Sequence, residues 1–215
     1  MQRRSTTLAL LLLLASGPLS LDAEEAKKIG PPAATGSGET LSRKQTELVR
    51  KVNAYFNQLT SLKGSFVQTG ADNRRQRGKF YISRPGRFRF EFNPPSKVVI
   101  ISDGNYVSIQ DRDLNTDDRW DLGYTPFNAL LQRDVDLLRD THIFEAQQVD
   151  DMIIVAFEDK TAEASRIKLF LTAGPPVQIK AWIAKDAQGL DTRVDLTEIT
   201  SIAEPDAKLF DPAER

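Results

Sequence analysis

"FYISRPGRFRFEFNPPS", residues Phe80 to Ser96, sets Phe88, Phe90 and Phe92 in alternation with Arg87, Arg89 and Glu91. Side chains two apart along a strand share a face, so the stretch reads as a β-strand with one aromatic and one charged face. Arg84-Pro85-Gly86 is a turn ahead of it. Before that turn, "GKFYIS" places Phe80 and Ile82 on one face and Lys79, Tyr81 and Ser83 on the other.

The period of two extends in both directions. Upstream, "LKGSFVQTG" puts Phe66 and Gln68 on one face; downstream come "KVVIIS", "NYVSIQD" and "RWDLG", with Asp103-Gly104-Asn105 as a hairpin signal. A second series follows: "IFEAQQ", "MIIVAFED", "RIKLFLT", "VQIKAWIAKD" and "TRVDLTEI", punctuated by Asp150-Asp151, Gly174-Pro175-Pro176 and Ala187-Gln188-Gly189. Roughly nine to eleven short strands at hairpin spacing predict an antiparallel sheet in which sequence neighbours pair.

Between the two series, "TPFNALLQRDVDLLRD" at 125–140 spaces Leu130, Leu131, Val135 and Leu138 as a helix does, with Thr125 as cap and Pro126 at the first helical position. Near the start, Leu48, Val52, Phe56 and Leu59 form an apolar stripe, and Thr40 or Ser42 can cap that helix. The expected order is helix, half a sheet, helical insert, remaining sheet, all in one domain over residues 40–215. Residues 24–39, "EEAKKIGPPAATGSGE", read as a disordered linker.

Arg3 and Arg4 precede an apolar run from Leu8 to Ala15, closed by Ser16-Gly17-Pro18. This is the pattern of a secretory signal peptide, cleaved near Ala23, in preference to a buried N-terminal helix. The run is shorter than the about 20 apolar residues that span a bilayer. The chain has no cysteine, so stability comes from a core and no lipid-bearing cysteine is expected. Export without an anchor points to the periplasm.

A formal charge of −1 argues against nucleic-acid binding by bulk electrostatics. His142 is the one histidine, and no phosphate-binding glycine loop, nucleophile elbow or metal-ligand spacing is present. Asp111-Arg112-Asp113 and Asp117-Asp118 read as solvated turns. No enzymatic site, cofactor or metal is expected. A sheet with one apolar face must be covered, and two modest helices either cover it tightly or leave a space for an apolar ligand. The residues alone leave both outcomes open.

Phe66-x-Gln68, Arg84-Pro85-Gly86, Ser102-Asp103-Gly104, Pro126-Phe127 and the closing "KLFDP" stand in one register. Together they resemble the periplasmic outer-membrane lipoprotein carriers, the LolA-like proteins, over most of residues 45–212. The resemblance implies an α+β fold: an incompletely closed antiparallel β-barrel, a curved half-barrel sheet, with helices packed as a lid over a hydrophobic cavity. It implies Phe66, Phe80, Ile82, Phe88, Phe90 and Phe92 around acyl chains, a lid helix carrying Pro126, Phe127, Leu130 and Leu131, and Arg84 as the lid latch. Phe210 is expected to complete the last strand. Where the family often carries Trp, this chain has Phe90, and its linker is longer than a carrier needs.

The implied partners are acylated lipoproteins, an inner-membrane lipoprotein-releasing ABC transporter and an outer-membrane receptor, with the protein a monomer. The same fold also implies a second reading, a sensor of lipoproteins or another periplasmic lipid-binding module. A lipid or cell-wall hydrolase is the third and lacks a visible nucleophile–base pair. The leader reading predicts that protein recovered from the periplasm begins near Glu24; N-terminal sequencing that returned Met1 would refute it.

Overall fold

Phe80 faces Gly64 and Phe66 faces Gly78 across the first two strands of the sheet. A Cβ on Gly64 would lie 2.7 Å from the Phe80 ring, and one on Gly78 would lie 2.5 Å from the Phe66 ring and 2.1 Å from the Glu91 carbonyl oxygen. Each ring occupies the place a side chain would fill on the neighbouring strand. Residues 41–160, 166–186 and 188–213 are described in this computed structural model, so the leader and linker lie outside the described residues.

The strands are β1 (Ser61–Thr69), β2 (Arg75–Ser83), β3 (Arg87–Phe92), β4 (Val98–Asp103), β5 (Tyr106–Asp111), β6 (Thr116–Asp121), β7 (Thr141–Val149), β8 (Met152–Asp159), β9 (Arg166–Thr172), β10 (Ile179–Lys185) and β11 (Asp191–Ser201). They form one antiparallel sheet in the order β6-β5-β4-β3-β2-β1-β11-β10-β9-β8-β7. The two series of the sequence are thus two meanders joined where β1 pairs with β11. β6 and β7 end the sheet and do not pair with each other, so the barrel is open.

Its curl can be read from ring contacts. β3 and β10 are separated by β2, β1 and β11. Four strand spacings of a flat sheet would hold their backbones about 19 Å apart. Phe90 on β3 and Trp182 on β10 nevertheless meet with ring centroids 6.0 Å apart. The sheet therefore bends around its aromatic face.

Helix α1 (Arg43–Gln58) opens with a capping box, in which the Ser42 hydroxyl accepts from the Gln45 amide and the Gln45 side chain accepts from the Ser42 amide. Its buried face is Val49, Val52 and Phe56; Leu48 is only partly buried and Leu59 is the C-cap. These residues join the core with Leu62, Phe66 and Phe80 of β1 and β2 and with Ile153, Val155, Phe157, Ile167 and Leu169 of β8 and β9.

The insert is not one helix. A 3-10 turn over Leu122–Tyr124 precedes two short helices, α2 (Asn128–Leu131) and α3 (Leu137–Asp140). The Thr125 hydroxyl donates to the Leu122 carbonyl at 2.8 Å and closes the 3-10 turn instead of opening a helix. Pro126 is buried just ahead of α2, whose N-cap is Phe127. Between α2 and α3, α1 takes over the main-chain bonds. Asn57 donates to the Val135 carbonyl at 2.9 Å and accepts from the Val135 amide at 2.8 Å, and Asn53 accepts from the Leu137 amide at 3.2 Å. Asp136 then caps α3 through the Leu138 amide. Asn53 and Asn57 are four apart, on one side of α1, and they hold the linker extended.

Phe210 does not complete the last strand. It sits in a 3-10 turn, Ala207–Phe210, buried against the outer face of β3 and β4, with the Arg87 guanidinium 5.5 Å from its ring centroid. Arg89, only 7% exposed, donates to the Leu209 carbonyl at 3.1 Å, and Gln110 donates to the Pro212 carbonyl at 2.7 Å. The C-terminal segment is a strap over the outer face, and it explains the charged side of the Phe88–Phe92 strand.

Crowding by Glu91 of β3 and the Phe66 ring of β1 makes Gly78 intolerant of any side chain. Gly78→Ala should destabilise the fold by at least the about 1–3 kcal/mol typical of overpacking, because the clash with Glu91 is with backbone. Gly174→Ala, where a Cβ meets nothing within 4 Å, should change little. Urea unfolding midpoints of the two variants decide the matter, and equal midpoints would contradict it.

Candidate functional site

The alternation of β3 turns Phe88, Phe90 and Phe92 to the concave face, and the register carries that face across the sheet. Phe90 is the hub. It stacks on Phe80 with centroids 5.7 Å apart and an interplanar angle of 20°. It meets Phe66, Phe88 and Trp182 edge to face at 5.2, 5.9 and 6.0 Å. Phe92 adds a sixth ring, against Phe66 at 5.1 Å, and Trp182 reaches Phe127, just ahead of α2, at 5.7 Å.

Around these rings lies a cavity of about 110 Å³. Phe66, Ile82, Phe88, Phe90 and Phe92 line it, and Phe127, Leu130 and Leu131 roof it. Of the expected lining residues, Phe80 is not in the wall. It is fully buried behind Phe90, because its ring fills the space above Gly64. Pro126 likewise does not reach the cavity. Ile100, Leu169, Ile179, Trp182 and Val194 add to the wall, with Gln68 and Thr192 as its two uncharged polar side chains. Trp182 was hidden in sequence, since "VQIKAWIAKD" mixes polar and apolar residues on both faces.

A cavity near 150 Å³ accommodates benzene. The space here is smaller and partly open to solvent, so a long hydrocarbon chain would extend beyond it unless the roof lifts from the sheet. Arg84 bonds the backbone of the roof segment. Its guanidinium donates to the Gln132 carbonyl, and at 3.4 Å to the Arg133 carbonyl, both at the end of α2; at 3.4 Å it also donates to the Leu59 carbonyl, the C-cap of α1. The last carbonyls of a helix lack intrahelical partners and carry partial negative charge. One cation thus serves two helix ends. The neighbouring Gly86 amide donates to the Leu131 carbonyl at 2.9 Å, fastening the same turn to α2.

Burial lowers the pKa of Arg84, and the nearby Asp134 charge pulls it back up; a guanidinium stays charged throughout. Its Nε is buried without a hydrogen-bond partner among the described residues, which weakens the arrangement relative to a fully satisfied one. Elsewhere, His142 is exposed near the start of β7. Among the described residues no group of three His, Cys, Asp or Glu is placed to hold a metal ion.

The family model described as "Outer membrane lipoprotein carrier protein LolA" matches residues 57–213. The outer-membrane lipoprotein carrier protein of Chromohalobacter salexigens is 28% identical, over 77% of this chain and 82% of that protein. That of Halorhodospira halophila is 27% identical, over 74% and 78%. Among solved structures, a LolA superfamily protein from Nitrosomonas europaea aligns with a TM-score of 0.40 at 12% identity, over 76% of this chain and 97% of that one.

Phe80 and Phe90 separate packing from lining. Phe80→Ala should cost the about 3–5 kcal/mol of a buried phenylalanine. Phe90→Ala, partly buried at the cavity, should cost less and should weaken binding of a fluorescent acyl probe. Unfolding and probe titration of both variants test this; Phe90→Ala with unchanged probe affinity would count against a cavity role.

Proposed function

This chain belongs to the LolA family of outer membrane lipoprotein carrier proteins, and from that membership we propose that it shuttles acylated lipoproteins through the periplasm, from an inner-membrane ABC transporter to an outer-membrane receptor. The observation that carries the reading is the closable aromatic cavity: an apolar wall on a curled sheet, a roof of short helices, and one arginine bridging the roof to the sheet. A protein that hides acyl chains from water needs such a wall. A protein that later gives them up needs a closed state worth returning to.

Arg84 is the latch in this reading. Each charge-assisted bond to a carbonyl contributes about 1.5–3 kcal/mol. Entering acyl chains displace the roof and cost those bonds; transfer to a receptor restores them, so release runs downhill without ATP at that step. The phenylalanine and leucine side chains hold hydrocarbon by burial, without specific geometry, which suits a carrier of many lipoproteins with one shared lipid chemistry.

Arg84→Leu should still accept lipoprotein and hold it more tightly, yet hand it over poorly. Wild type and variant, loaded with the same lipoprotein, are mixed with receptor-bearing membranes and transfer is followed with time. Equal transfer by both would end this account of Arg84.

A further inference from the structure

Two polar side chains face the otherwise apolar cavity, Gln68 and Thr192. They stand at the same end of it. Gln68 on β1 is paired with Val194 on β11, and Thr192, two residues before Val194, shares its face, so Thr192 is the diagonal neighbour of Gln68. This end lies away from Arg84. Gln68 pairs with Gln76 on β2, and the run of β2 from Gln76 to Ile82, beside the Arg84 turn, covers about 20 Å.

Neither the Gln68 amide nor the Thr192 hydroxyl hydrogen-bonds another described residue. Gln68 is half-buried and Thr192 6% exposed, and neither polar end is among the described atoms shut off from solvent without a partner, so water can serve both; a ligand that displaces that water without replacing its bonds is disfavoured. Both groups can donate, and the glutamine NH₂ carries two donors. A ligand that matches this cavity has a long hydrocarbon body and acceptor oxygens at one end. Fatty-acyl esters and amides have that form: their carbonyls accept hydrogen bonds, and their chains demand burial.

We propose that Gln68 and Thr192 receive the ester or amide carbonyls at the head of the bound acyl chains, fixing the chains to run towards Ile82 and Leu131 beneath the latched roof. This rests on the acyl-carrier reading and adds a direction and a head-group contact to it. Gln68 and Thr192 are then positioning residues for the polar end, while the aromatic wall supplies affinity for the hydrocarbon.

The test is displacement of a fluorescent acyl probe from the full mature chain by dipalmitoylglycerol and by its diether analogue, which has the same chains and no carbonyls. Wild type should prefer the diester by about three- to tenfold, the value of one or two net hydrogen bonds. Gln68→Leu should bring the ratio near one, and Thr192→Val, close in shape to threonine, should lower it in part. Equal binding of diester and diether by wild type, or an unchanged preference in both variants, would overturn the proposal while leaving the carrier reading intact. Binding of neither compound would overturn the carrier reading itself. A tripalmitoylated cysteinyl peptide and dipalmitoyl phosphatidylethanolamine distinguish the sources of such a carbonyl. Sensitivity of the peptide to Gln68→Leu names an acylated cysteine, sensitivity of the phospholipid alone names a membrane lipid, and insensitivity of both overturns the proposal.

Discussion

The whole concave face depends on two rings lying over two glycines. With Phe80 over Gly64 and Phe66 over Gly78, the aromatic groups lie along the sheet instead of standing away from it. Phe90 can then stack on Phe80 and still reach Phe66. The stack brings Phe90 to Trp182 on the far side of the curl. Side chains at 64 and 78 would lift both rings, and the cross-sheet contact would lose its base. Curvature and cavity therefore have one physical origin, the exchange of backbone bulk for aromatic bulk between adjacent strands.

The two faces of the sheet are finished in opposite ways. The outer face of β3 to β5 is closed by directional bonds to the C-terminal strap, from Arg89 and Gln110, around a buried Phe210. The inner face is roofed by short segments whose apolar side chains contact rings and whose backbone is held by Arg84, Gly86, Asn53 and Asn57. Ring contacts can be exchanged for contacts with another apolar group at small cost. Hydrogen bonds to carbonyls cannot be exchanged in this way, because hydrocarbon offers no donor. The roof is thus interchangeable where it touches the cavity and specific where it is fastened.

Local rules made much of this legible in the sequence. Alternation in "RFRFEF", the Asp103-Gly104-Asn105 turn and a cap at Thr40 or Ser42 are each decided within a few residues; strand and hairpin lie where those patterns put them, and Ser42 is the cap. The misses involve distant partners. The insert carries a helical pattern, yet Asn53 and Asn57 on α1 capture its backbone across a long sequence separation. Phe80 has the same alternation as Ile82, but the glycine opposite it decides that it packs down and does not line the cavity. Phe210 follows β11 in sequence and is drawn instead to the outer face by Arg87 and its neighbours. Trp182 and Thr192 gave no signal, since their strands carry mixed faces until the curl selects one.

The energies explain why a polar fastening suits a carrier better than an apolar one. Burial of about ten methylenes yields about 8 kcal/mol. The bonds from Arg84 to three carbonyls, two of them long at 3.4 Å, oppose this by about 3–6 kcal/mol, reduced by the unpartnered Nε of Arg84. The terms are of the same order, so on the carrier reading the loaded state is favoured and its margin is held down. A roof fastened by carbon alone would offer no such opposition. Whatever apolar surface it exposed on lifting would be covered again by the entering chains, and burial lost at the roof would be regained at the ligand. On the carrier reading, only groups that a hydrocarbon cannot satisfy would keep an empty, closed state distinct from a loaded one, and the carbonyls of Leu59, Gln132 and Arg133 under one guanidinium are groups of that kind.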